Sequence, residues 1–109
     1  MGKIALPEPQ FEYDEKADVL YITFGLGEPS YAEQVDDVVI AEYGLFSDQL
    51  TGFRVVAPRT RRLRGIVLEI KAILRNAKKE GRLPRVAGLD PAGDFVESTS
   101  NRLRELVPS

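Results

Sequence analysis

Three observations predict an α+β domain in this chain. Apolar and polar side chains alternate with period 2 between residues 11 and 56, the apolar spacing changes to 3.6 over residues 63–77, and Pro58 separates the two regimes. The expected architecture is a short antiparallel β-meander of three to five strands packed against one long amphipathic helix, with a short helix in a C-terminal tail. The meander and helix are expected to form a single domain over residues 1–81, with the helix at 61–80. Residues 82–109 read as a loop and short-helix extension. A chain of 109 residues suits one modest core.

The elements follow in order. Pro7 and Pro9 make the opening segment extended. Phe11 and Tyr13 alternate with polar neighbours, and Asp14 is placed to accept backbone hydrogen bonds over Glu15–Ala17, which favours a turn. Beyond it Leu20, Ile22 and Phe24 share one face, with Val19, Tyr21 and Thr23 on the other, so the pair reads as a β-hairpin. Gly25–Ser30 breaks the pattern with loop formers. Tyr31–Val35 is a candidate short strand, Asp36-Asp37 a turn, and Val38–Tyr43 and Leu50–Val56 are stronger strands. Pro58 closes the sheet because it cannot donate to a ladder.

Leu63, Ile66, Val67, Ile70, Ile73, Leu74 and Ala77 then form one continuous helical stripe. Thr60 is the expected N-cap and Gly81 the expected left-handed residue past the helix end. Gly65 inside the helix costs about 1 kcal/mol relative to Ala, and a close approach to the sheet would explain it. Leu20, Ile22, Phe24, Phe53, Val55, Ile66, Ile70, Ile73 and Leu74 are expected to be buried together. Leu83–Phe95 reads as loop, followed by a short helix capped by Ser98 or Ser100.

The segment Tyr13-Asp14-x-x-Ala17-Asp18-x-Leu20-Tyr21-Ile22, followed by Glu33-Gln34-Val35-Asp36 and by Leu50–Val56, resembles a family of small bacterial and archaeal proteins, domain of unknown function 2283. The resemblance spans about residues 10–57. It implies the β-rich architecture and no established activity. Some relatives resemble partners in toxin–antitoxin-type gene pairs, which implies a protein-binding, antitoxin-like role. One departure stands out: the family turns through a short acidic glycine-containing connection where this chain has the longer, partly apolar Gly44–Gln49.

Composition narrows the chemistry. The chain has no Cys and no His, which excludes disulfides, thiolate metal sites and cysteine nucleophiles, and removes the commonest general base and transition-metal ligand. No apolar run approaches a membrane span. Met1–Gln10 lacks a signal-peptide pattern, so a cytoplasmic protein is expected. The serines Ser30, Ser47, Ser98 and Ser100 have no base or motif around them. A non-enzymatic protein without a cofactor is the expectation.

The net charge of −2 hides a polarised arrangement, with 11 acidic and 2 basic residues in 1–53 against 11 basic and 2 acidic in 54–85. Two arrangements are open: the halves neutralise each other, or the basic half faces an outside partner. The candidate binding residues are Arg61, Arg62, Arg64, Lys71, Arg75 and Lys78, on the helix entrance and a basic face that Arg82 extends. Cations at a helix N-terminus oppose its dipole, so Arg61 and Arg62 call for a partner, which the acidic meander is expected to supply. Leu68 and Ala72 lie just off the core stripe and suggest association, with a homodimer the commonest form.

The leading functional reading is a small interaction module that binds another protein or a second copy of itself. The second is nucleic-acid binding by the arginine-rich helix. The third is a metal-dependent phosphoryl hydrolase using Asp14, Asp18, Asp36, Asp37 and Asp48, since hard cations take oxygen ligands.

Overall fold

A computed structural model describes residues 7–34, 38–89 and 94–106. Its elements are β1 (Gln10–Asp14), β2 (Val19–Thr23), β3 (Ser30–Gln34), β4 (Val39–Gly44), β5 (Leu50–Val56), a 3-10 turn at Pro58–Thr60, α1 (Leu63–Lys79) and α2 (Phe95–Leu106). The fold is α+β, as the change of period implies. Among the described residues, no helix is long and apolar enough to cross a membrane.

The five strands form one antiparallel sheet in the order β1-β2-β5-β4-β3. This departs from a simple meander. Strands β3, β4 and β5 are a meander, the β1–β2 hairpin is a separate unit, and β2 joins the two by pairing with β5. The pairing aligns apolar rows across the sheet: Tyr13, Leu20, Val55 and Val39 form one, and Phe11, Ile22, Phe53 and Ala41 another. Gly52 permits the β2–β5 contact, since a Cβ there would lie 2.2 Å from the Ile22 carbonyl oxygen.

All nine residues expected in the core are buried in one cluster. The helix stripe behaves as its period predicts, with Ile66, Ile70, Ile73, Leu74 and Ala77 buried on α1. Two details at its start differ. The N-cap is Arg62, with no side-chain cap, while the Thr60 hydroxyl donates to the Ala57 carbonyl within the 3-10 turn. Nor does Gly65 mark a close approach, because a Cβ built there meets nothing within 4 Å.

The C-terminal segment also differs from expectation. α2 starts at Phe95, ahead of both serines, and Ser100 donates to the Val96 carbonyl from inside the helix. Val86, Leu89, Phe95, Val96 and Leu103 belong to the same core as the sheet and α1. The Phe95 ring lies 5.5 Å from Phe24, 6.0 Å from Phe53 and 6.5 Å from Phe11. These contacts supply the docking that a 12-residue helix needs.

Candidate functional site

The basic face begins at the uncapped start of α1, whose first turn holds no acid. Arg61, Arg62, Arg64 and Arg75 are exposed and Lys71 is half-buried. Among the described residues, none of these five forms an ion pair. Lys78 lies in the last turn of the same helix. Helical spacing puts Arg64, Lys71 and Arg75 in one row, and Gly65, Leu68 and Ala72 in a second row beside it. Leu68 is 55% exposed.

The acidic half answers other cations. Arg54 meets Glu42 at 2.8 Å, and Arg59 meets Glu15 at 3.5 Å. Arg82 is the most engaged. Its Nη2 donates to Asp48 Oδ1 at 3.0 Å, Tyr31 Oη at 3.0 Å and Glu33 Oε2 at 3.4 Å, while its Nε donates to the Asp48 carbonyl. The guanidinium carbon stands 3.5 Å from the Tyr43 ring centre. Among the described residues, the expected neutralisation of Arg61 and Arg62 is therefore not found. The partner goes to Arg59 on one side and to Arg82 at the far end of the helix.

Local structure explains the Arg82 position. Gly81, at φ 72°, ends α1 as its spacing predicts. The Gly81 amide donates to the Lys78 carbonyl and the Arg82 amide to the Ala77 carbonyl, closing a paired C-terminal turn. That reversal carries Arg82 off the basic row and onto the β4–β5 connection. Edge strand β3 has Tyr31 and Glu33 in register with Tyr43 and Ala41, on the helix side of the sheet. The Tyr31 hydroxyl bond and the Arg82 bonds hold the Asp48 carboxyl below its ordinary range. Burial works against the Arg82 charge, but Asp48, Tyr43 and Glu33 outweigh it and raise its pKa. The node joins helix end to sheet and is internally satisfied.

The unusual connection Gly44–Gln49 is braced rather than slack. Glu28 Oε1 accepts the amides of Phe46 and Ser47, and Glu28 Oε2 accepts the Ser47 hydroxyl at 2.7 Å. Those bonds, the hydroxyl first, lower the Glu28 pKa. Further backbone bonds run from Leu45 to Pro29, from Asp48 to Gly44 and from Gly44 to Gln49. The brace presents apolar side chains to water: Leu45 is 57% exposed and Phe46 83%. The sequence showed the apolar content of this loop but not its rigidity, which depends on Glu28 meeting it from another loop.

Among the described aspartates, Asp14 and Asp18 stand apart from Asp48. Asp14 Oδ1 accepts the amides of Lys16 and Ala17, capping the first turn as expected. Asp18 accepts the Tyr13 hydroxyl at 2.6 Å. Both lie at the Val19–Val56 end of the β2–β5 ladder, whereas Asp48 precedes Leu50 at the other. A strand length of about 17–20 Å separates them. Asp36 and Asp37 lie outside the described residues. Among the described residues, no group of three or more carboxylates is placed to hold a metal ion.

The turn built by Tyr13, Asp14 and Asp18 is the motif that carried the family resemblance. Residues 10–45 match the family model described as Protein of unknown function (DUF2283). The DUF2283 match runs from β1 to the first residue past β4 and stops short of β5, so it covers about a third of the chain and less than the resemblance read from the sequence. Both helices and the basic face lie outside DUF2283 as matched. No curated protein and no solved structure matches the chain.

Proposed function

We propose that this protein is a non-enzymatic interaction module that docks an acidic protein surface on the exposed face of α1. The carrying observation is that Arg61, Arg62, Arg64, Lys71 and Arg75 make no ion pair among the described residues, while an apolar line through Leu68 and Ala72 runs beside them. A desolvated apolar centre with arginines around it is how protein interfaces are commonly built. The implied antitoxin-like role is one form of such a module.

Nucleic-acid binding is the second reading, favoured by the same arginines, which form no ion pair among the described residues. It leaves the exposed Leu68 unused, and the chain's pI of about 5.2 opposes it. Affinity capture at low salt with the parent chain and with Lys71→Glu/Arg75→Glu tests both. Loss of a captured protein on charge reversal supports the proposal. A captured nucleic acid whose log affinity falls linearly with log salt replaces it with the second reading.

A further inference from the structure

The N-terminal end of α1 carries an open cleft of about 210 Å³ lined by Val38, Arg61, Arg62, Gly65, Ile66 and Glu69. Ile66 is buried, whereas Arg61, Arg62 and Gly65 are exposed, so among the described residues an apolar base is rimmed by two arginines, with Glu69 as the one acid of the lining. Gly65 keeps the cleft open. Its absent side chain would have occupied free space, and a glycine in the first turn of a helix is a poorer helix former than alanine. A cavity of about 150 Å³ accepts a benzene ring, so this cleft has room for a phenyl side chain.

The braced Leu45–Phe46 loop is its complement. Phe46 is the most exposed large apolar side chain among the described residues, and its backbone is already fixed by Glu28. A rigid aromatic projection loses little entropy on burial. Its surroundings are acidic: no Lys or Arg occurs between Lys16 and Arg54, and the loop is flanked by Glu28 and Asp48, with Arg82 the base that contacts it. Loop and cleft lie at opposite ends of α1, because Asp48 meets Arg82 beyond the helix end. The 17 residues of α1 span roughly 25 Å. Phe46 therefore cannot fill the cleft of its own chain.

We propose that the cleft receives the Leu45–Phe46 loop of a second copy of this chain, so that copies associate head to tail. This rests on reading the α1 face as a docking surface, and it identifies the acidic partner. The two contacting surfaces differ, so the interface is heterologous. Each added copy offers a free loop at one end and a free cleft at the other, giving a ring or a growing chain rather than a symmetric pair. The opposite charges at the two ends make the association weaken with salt.

Sedimentation velocity on the full chain tests this with two variants. Phe46→Ser removes the projection, and Gly65→Leu fills the cleft. The parent is expected to form species larger than a dimer as concentration rises, and each variant alone to remain monomeric. An equimolar mixture of the variants is expected to give a one-to-one dimer and nothing larger, since one retains its cleft and the other its loop. Melting curves check folding: Phe46 is exposed and Gly65 is helical, so neither variant should melt below the parent. A monomeric parent up to millimolar concentration overturns the proposal, as does a dimer that both variants leave intact, or a mixture that stays monomeric. A monomeric parent that still captures an acidic protein, lost in Lys71→Glu/Arg75→Glu, leaves the docking face standing and removes only self-association. Head-to-tail assembly unaffected by that reversal removes the role given to Lys71 and Arg75 and keeps the cleft.

Discussion

Replacing Phe95 by alanine should destabilise the protein by about 4 kcal/mol, because the ring sits where α2, the β1–β2 hairpin and β5 meet. Its relative exposure is 2%, and three other phenylalanine rings lie within 6.5 Å. A buried Phe→Ala change costs about 3–5 kcal/mol, and each aromatic pair adds roughly 0.5–1.5 kcal/mol beyond area. The loss is large against a total of about 5–15 kcal/mol for a domain. With a urea m-value of about 2 kcal/mol/M, the unfolding midpoint should fall by roughly 2 M. Phe95→Leu keeps most of the volume and should cost less than half as much. A midpoint shift below about 0.3 M for the alanine variant would show that α2 is an appendage. A second, separate transition would show that it unfolds independently of the sheet.

Three further outcomes can be measured. Gly65→Ala should raise the melting temperature, by the equivalent of at most about 1 kcal/mol because the residue lies in the first turn, since the helix gains propensity and the new Cβ meets nothing; a lower temperature would reveal a contact at that position. Lys71→Glu/Arg75→Glu should shift the melting temperature by no more than a few degrees, equally at low and high salt, and a salt-sensitive loss would return the basic face to a structural role. The Glu28 brace should loosen in acid. Its folded pKa lies below the ordinary 4.5, so the stabilisation is fully present above that value and is lost as pH falls through the depressed one. Amide exchange at Phe46 and Ser47 should accelerate there, and Glu28→Gln should remove most of the pH dependence.

Local periodicity made much of this fold legible. The strand Leu50–Val56 has the bounds its alternation predicts, and the seven-residue apolar stripe marks the buried side of α1. Strand order was not legible, since the pairing of β2 with β5 depends on rows matching across 29 to 37 residues and on Gly52 admitting the Ile22 carbonyl. Phe95 follows Pro91 and Gly93 and so reads as loop. The buried Thr99 interrupts the apolar spacing that would have announced α2. Arg82 belongs to the basic row by spacing alone, and only the turn at Gly81 moves it to Asp48 and Tyr31.

What the core does not explain is concentrated on two surfaces. At one end of α1 are an uncapped helix start, two arginines against the helix dipole, a glycine with empty space above it and, a turn further on, an exposed leucine. At the other, Glu28 holds a Leu-Phe pair in water. Each of these choices is locally unfavourable or neutral, and none is needed by the sheet, whose acidic half already answers Arg54, Arg59 and Arg82. In a sequence that obeys local preferences elsewhere, such departures are expected at functional or strained sites. A turn-forming aspartate or a stripe of core leucines invites no such reasoning, because stability accounts for it in full. The two ends of α1 are therefore where we propose that binding takes place, although the family match ends before that helix begins.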